Sequence, residues 1–426
     1  MKIKILMIAS ICISTTTFAG GYRVATQGQN ALSMGHTGVA MTDNSEVVFF
    51  NPAGMSSLKS DTDISVGITL IDGNTKYQDS ISNTSAETDN PIGTPFNLYL
   101  AKKFDEKASF GFGMYTPYGN TVEWEKDWAG SHLVNNIKLQ SIYFQPTLSY
   151  KFNDMFSIGI GPTYTLGSVK FNRNLNTFLA NANGERANVT VEASNIGAWG
   201  YNVGFLVQPT NKLSIGISYR SQVDMEARGE SADFANIPES LQTVSTFLDT
   251  TFDADLVLPA ELTVGIAINL SSATTLAFDV NRTFWSAYKN LNISFNPTTH
   301  RDTTVLALNP RNYNDVNIYR VGLQQKIGNS LTIRGGGYYD DSPISPGYYT
   351  PETARNDSIG LTAGASYQAS KRIYIDFSLL FLMFKEFNGS YAFYDDDNDP
   401  DTPPISFSGS YISSVMAGGI GLNYKY

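Results

Sequence analysis

Three histidines, His36, His132 and His300, are the only imidazoles in this 426-residue chain, and a serine-type hydrolytic site would have to use one of them. A nucleophile needs a base within hydrogen-bond reach and an orienting group behind that base. Neither His132 nor His300 stands in a serine context that marks such a site, so the chain is not expected to be an enzyme. The run YDDDNDPD, Tyr394 to Asp401, is dense enough in carboxylates for calcium, yet it lacks the glycine and the distal glutamate of an EF-hand loop. It reads as a solvated acidic tip that divalent ions can bridge to lipopolysaccharide phosphates. No metal centre and no cofactor is expected. The chemistry left is recognition: arginines that hold carboxylates by paired hydrogen bonds, and apolar surface that holds greasy solutes.

The elements that position such groups depend on where the chain resides. MKIKILMIASICISTTTFAG carries Lys2 and Lys4, an apolar run from Ile5 to Ile13 and small residues around Ala19, which reads as a secretory leader over residues 1–19. The single cysteine, Cys12, lies inside it behind the bulky Ile11, a poor context for lipid attachment. The mature chain is therefore expected to carry no thiol and no disulfide. Setting aside Lys2 and Lys4 leaves 27 of the 29 basic residues against 39 acidic ones, a net charge of −12 that argues against nucleic acid as a partner. Beyond the leader, no run approaches the roughly 18 consecutive apolar residues of a spanning helix. A secreted soluble protein and an outer-membrane barrel both fit so far.

Alternation separates the two. Between Ser370 and Phe387, the residues Ile373, Ile375, Phe377, Leu379, Phe381 and Met383 share one face. From Leu331 to Asp340, Leu331, Ile333 and Tyr339 lie on one face, with Thr332, Arg334, Tyr338 and Asp340 on the other. One face suits lipid and the other a polar lumen. About fourteen such segments recur along the chain, separated in turn by short connections (FDEKA, FNDM, TNK, SSAT, IGNS, ASKR) and long polar stretches. Short periplasmic turns and long outer loops produce that rhythm in an even-stranded barrel. The final segment VMAGGIGLNYKY alternates Met416, Ile420, Leu422, Tyr424 and Tyr426 and resembles the carboxy-terminal signal read by barrel-insertion machinery. The expected fold is an all-β membrane protein, an antiparallel transmembrane β-barrel of about fourteen strands over residues 61–426, with residues 20–60 folded into its lumen as a hatch.

Strand parity then places the recognition residues. Arg220, Arg320 and Arg334 fall on lumenal faces, where each can meet a carboxylate head group or simply pair with a lumenal acid. In ASFGFGMYTPYG, Phe110, Phe112 and Met114 face outward, leaving Gly111 and Gly113 inward, an arrangement suited to a strand kink or to close approach by the hatch. The loop NIPESLQTVSTFLDTTF offers Asn236 as a helix cap and Leu241, Val244, Phe247 and Leu248 at helical spacing, a stripe able to form a shallow capture groove or to pack on neighbouring loops. In the amino-terminal part, VVFFNPAGM runs four apolar residues into Asn51-Pro52, and a proline can neither continue a ladder nor sit inside a helix.

The stretch GYRVATQGQNALSMGHTGVAMTDNSEVVFFNPAGMSSL, with Gln29-Asn30-Ala31, the small residues from Gly35 to Ala40, Asp43 and Asn51-Pro52-Ala53-Gly54-Met55, resembles the amino-terminal hatch of the FadL family of outer-membrane transporters for long-chain fatty acids and other hydrophobic compounds. AWGYNVGF, LPAELTVG, FWSAYKNL and GYYDDSP resemble later family blocks in the family's order. The resemblance covers nearly the whole mature chain and implies passive transport through a barrel closed by its hatch. It implies that Tyr22, near the mature terminus, reaches an apolar ligand pocket, and that ligand arrival shifts the terminus. It also implies that a kinked strand gives lateral exit into the membrane. On that reading Phe49 and Phe50 anchor the hatch on the wall, and Pro52, with Ala53 and Gly54, makes a rigid turn against a bulged strand. The partners expected are a hydrophobic small molecule such as a long-chain fatty acid, the outer membrane with its lipopolysaccharide, and the insertion machinery, with the protein working as a monomer. A non-specific porin and a surface adhesin using the long loops are the competing functions.

Overall fold

Alternating faces of the kind described can be satisfied in lipid only if the sheet closes, because an open edge would leave backbone N–H groups with neither water nor a partner. The computed structural model describes residues 21–79, 82–175, 179–242, 247–298, 303–393 and 405–426. The leader, Val244, His300 and the acidic run Tyr394–Asp401 lie outside them. The strands are β1 (Thr62–Gln78), β2 (Phe96–Lys103), β3 (Ala108–Tyr115, resumed as Gly119–Glu123), β4 (Asn136–Lys151), β5 (Phe156–Asn174), β6 (Asn188–Thr210) and β7 (Leu213–Arg220, resumed as Val223–Ala235). They continue with β8 (Thr250–Leu258, resumed as Glu261–Asn269), β9 (Thr274–Thr283), β10 (Val316–Ile327), β11 (Leu331–Asp340), β12 (Ser358–Gln368), β13 (Ile373–Phe384) and β14 (Ile405–Lys425). These make a closed 14-stranded antiparallel barrel, sealed where β1 runs against β14 from Asp63↔Lys425 to Gln78↔Ser410. No helix among the described residues is long and apolar enough to cross a membrane.

The two faces separate as the alternation requires. On β13, Phe377 and Leu379 are 50% and 63% exposed on the outside, while Asp376 and Ser378 between them are 3% and 1% exposed on the inside. Tyr164 against Trp199 and Tyr201 against Tyr219 stand at one rim of the wall, and Tyr150 against Phe152 at the other, as aromatic girdles do at the two membrane interfaces. Six connections are short, among them residues 152–155 and 328–330, and the others are long. Because Cys12 is the sequence's single cysteine and lies in the expected leader, Asn183→Cys in a long connection should react with a membrane-impermeant maleimide on intact cells. Asp154→Cys in a short turn should react only after the outer membrane is permeabilised. Equal labelling would sink the assigned orientation.

Irregularities in the wall matter for the site. β3 pairs with β4 up to Tyr115↔Tyr143 and resumes at Gly119↔Gln140, so one extra residue is accommodated across Thr116, Pro117 and Tyr118. The kink expected at Gly111 and Gly113 is thus displaced toward the end of the strand. Both glycines pair regularly, with Thr147 and Gln145, and it is Pro117, lacking an N–H, that breaks the ladder. A Cβ on Gly111 would collide with Met55 and crowd Val48, so that glycine serves close approach. On the β7–β8 loop, where residues 243–246 lie outside the described ones, Glu239–Leu241 form a 3-10 turn whose N-cap position is Pro238 and not Asn236. Leu241 and Phe247 pack against the cluster around Val189, Phe252 and Phe295, and Leu248 is only partly exposed.

Candidate functional site

The lumen is filled by residues 21–60, and the local reason is a chain that cannot form a strand. Val47–Phe50 is a short α-helix and Pro52–Ser57 a 3-10 helix, with Pro52 at its first turn, where a missing N–H costs nothing. This departs from the expected turn beside a bulged strand, since the wall at that point is regularly paired. Asn51 supplies the junction. Its Oδ1 accepts the Ala53 N–H at 3.2 Å, and its Nδ2 donates to the Val39 carbonyl at 2.8 Å and the Phe205 carbonyl of β6 at 2.9 Å. Gly159 of β5 and Gly204 of β6, paired with each other, lie directly under it. A Cβ on the first would collide with the Pro52 backbone, and a Cβ on the second with the Asn51 side chain. The Ala53 carbonyl accepts from Ser149 and Ser157 on the wall, and Gly54 packs on Val47. Phe49 presses its ring on Tyr115 of β3, whereas Phe50 stacks inward on His36 and Gly38. Only Phe49 of the pair anchors to the wall.

Above this plug the chain forms a strap across the break in β3. Arg23 bridges Tyr118 in antiparallel fashion. The Val24 N–H donates to the Pro117 carbonyl at 2.9 Å, the Gly119 N–H to the Tyr22 carbonyl at 3.0 Å, and Gln27 Nε2 to the Thr116 carbonyl at 3.0 Å. Backbone groups freed by the break are thus satisfied by residues 22–27. Arg23 reaches Asp340 at 3.2 Å. Tyr22, 3% exposed, packs edge-on against Trp285 and Tyr288 with centroids 4.9 and 5.5 Å away. Burial pushes its hydroxyl well above the usual tyrosine pKa, so it stays a donor, and it donates to the Val257 carbonyl.

Tyr22 and Tyr118 stand at one end of a cavity inside the barrel. Its wall is apolar, with Leu139, Val169, Val191, Met225, Phe252 and Leu258 among the lining residues. Among the polar lining groups, Arg311 pairs with Glu352 at 2.7 Å, both nearly buried, and Asn120 and Asn309 also line the cavity. An apolar chamber with a few polar contacts suits a greasy solute. Neither Arg311 nor Glu352 has a signal in the sequence, since both sit in loops without periodicity. Trp285 could have been found from the FWSAYKNL block.

The three lumenal arginines have different surroundings. Arg220 is fully engaged: it donates to the Tyr115 hydroxyl, to Gln145 at 3.3 Å and to the Phe49 carbonyl at 3.0 Å, and lies 4.5 Å from the Phe49 ring centroid. It pins the plug. Arg334 donates to Gln324 at 2.7 Å and to Ser366. Arg320 is 6% exposed and has no hydrogen-bond or ion-pair partner among the described residues. None of the three lines the large cavity. No cluster of metal-ligating side chains occurs among the described residues.

With that geometry in view, comparison with known proteins is informative. Residues 10–426 match the family model described as outer membrane protein transport protein (OMPP1/FadL/TodX). The chain is 23% identical over 388 residues to a 47 kDa outer membrane protein of Pasteurella multocida, covering 87% of this chain and 89% of that one. It is 22% identical over 410 residues to the long-chain fatty acid transport protein of Escherichia coli, covering 88% and 91%. Among solved structures, a Pseudomonas aeruginosa FadL homologue superposes with a TM-score of 0.81 at 17% identity, over 95% of this chain and all of that one. The Pseudomonas putida toluene transporter TodX gives 0.71 at 17%, over 97% and 100%.

Proposed function

The chain belongs to the OMPP1/FadL/TodX family of outer membrane transport proteins, and from that premise we propose that it admits long-chain fatty acids to the cell by ligand-gated passive diffusion. Family members are channels for hydrophobic compounds in the outer membrane, and the finer assignment rests on one observation: an apolar cavity with the ring of Tyr22 at one end. A solute that fills this cavity competes with Tyr22 for the same contacts. Each side chain of this size is worth roughly 1.5 to 3 kcal/mol when fully buried, so occupancy and strap position are coupled. When the strap lifts, Pro117 to Gly119 lose their backbone partners and the bulge in β3 becomes the weak point of the wall. The solute then leaves past the plug or sideways into the membrane. The polar groups that line the otherwise apolar cavity, Asn120, Asn309 and the Arg311–Glu352 pair, favour an acyl chain with a polar head over an aromatic hydrocarbon, which offers them no partner. A filled lumen argues against a steady aqueous pore.

The test is equilibrium binding of a fluorescent long-chain fatty acid to purified protein. Saturable binding that oleate displaces and toluene does not is expected. Tyr22→Ala should tighten it about tenfold, because removing the competing ring raises the fraction of binding-competent protein. Displacement by toluene as effective as by oleate would reassign the solute to aromatic hydrocarbons. No saturable binding would sink the cavity as a ligand site.

A further inference from the structure

Beneath the strap lies a second, small polar chamber, lined among others by Arg23, Gln27, His36, Arg220, Glu261 and Arg320. The strap is the partition, with Tyr22 and Tyr118 facing the upper cavity and Arg23 and Pro117 facing the lower chamber. We propose that the lower chamber is a carboxylate station, in which the Arg320 guanidinium receives the head group of an acyl solute that has passed the strap. The proposal rests on the fatty-acid reading above and names where the head group goes next.

The hydrogen-bond inventory supports it. A guanidinium carries five N–H donors in a fork that matches a carboxylate, and a buried cation without partners is costly. Every other charged group around the chamber holds at least one partner. Arg23 pairs with Asp340, and Arg220 is held by Tyr115, Gln145 and the Phe49 carbonyl. Glu261 accepts from the Tyr118 hydroxyl at 3.1 Å and from Asn281 at 3.4 Å. Asp279, directly across the ladder from Arg320, turns one oxygen to the Gly38 and Val39 N–H groups at 2.8 and 3.2 Å. Among these charged groups Arg320 alone makes no hydrogen bond or ion pair, and Asp279 Oδ1 across the ladder is the one carboxylate oxygen there that also lacks a partner.

His36 supplies another unmet group in the same chamber. It is 3% exposed, and both ring nitrogens lack partners. Its backbone is left-handed at φ 59°, a conformation that non-glycine residues rarely hold. Burial and the neighbouring Arg320 and Arg23 charges push its pKa well below the usual value. The imidazole is therefore neutral and keeps one N–H to offer an oxygen beside the guanidinium.

The experiment is isothermal titration of the full-length protein with decanoate, with decanol of the same chain length, and with acetate. In wild type, decanoate should occupy two sites and decanol one, while acetate should bind at least tenfold more weakly than decanoate. In Arg320→Met the second decanoate site should be lost or weakened at least tenfold, with decanol unchanged. Arg320→Lys, which keeps the charge, should retain that site within a few-fold. Unchanged decanoate binding in Arg320→Met overturns the proposal, as does loss of decanol binding together with decanoate. Acetate binding as tight as decanoate would also overturn it, by making this a site for small free anions. If wild type binds neither ten-carbon probe, the upper-cavity reading falls first and this inference with it.

Discussion

Asn51→Ala should turn a closed barrel into one that conducts ions. The side chain is fully buried, and two of its bonds run from Nδ2 to carbonyls, one in the plug and one on β6. Removing it leaves both acceptors without their donor, at about 1 to 3 kcal/mol each, and removes the cap on the 3-10 helix, worth about 1 kcal/mol. A total loss near 3 kcal/mol raises the undocked fraction of the plug by roughly a hundredfold. In planar bilayers the wild type should be nearly silent and the variant should open often. The barrel should stay heat-modifiable on gels, because Asn51 takes no part in any ladder. Asn51→Asp, which keeps the capping oxygen and loses both donors, should be nearly as leaky. A folded but silent Asn51→Ala would mean that other contacts, such as Arg220 with the Phe49 carbonyl, hold the plug by themselves.

The barrel was legible because a lipid-facing strand has few solutions: alternating Ile373 to Met383 on one face admits only one orientation, and the alternation of short and long connections counts the strands. The plug was legible as a segment that does not alternate, but its form was not. VVFFNPAGM looks like a strand running into a proline, and it folds as two short helices because glycines on the neighbouring wall, at positions 159 and 204, admit its backbone. Gly159 carries no mark that distinguishes it from glycines elsewhere in the barrel, and Gly204, though it lies in the AWGYNVGF block, carries no sign of what packs on it. Pro117 was a visible sign of the break in β3, and the inward glycines nearby drew attention from it. Parity put Arg220, Arg320 and Arg334 on lumenal faces, yet what each one touches depends on the residues 21–60 that pack against it, which no single-strand pattern contains. Arg311 and Glu352 meet from loops distant in sequence, and neither position has a periodicity to report it.

The proposed transport turns on opening of the strap over β3, which can be locked directly. Arg23 and Tyr118 face each other as a non-hydrogen-bonded antiparallel pair, flanked by the Val24–Pro117 and Gly119–Tyr22 bonds. Such pairs have Cα atoms about 4.5 Å apart, within the range a disulfide spans. Arg23→Cys with Tyr118→Cys, in a sequence whose single native cysteine is Cys12 in the expected leader, should therefore cross-link on mild oxidation. Uptake of radiolabelled oleate by cells carrying the double variant should fall at least tenfold when the bond forms and recover on reduction, while each single variant should be indifferent to redox. Equal uptake by the oxidised and reduced double variant, with the cross-link confirmed, would contradict the account, because the solute would then pass with the strap shut.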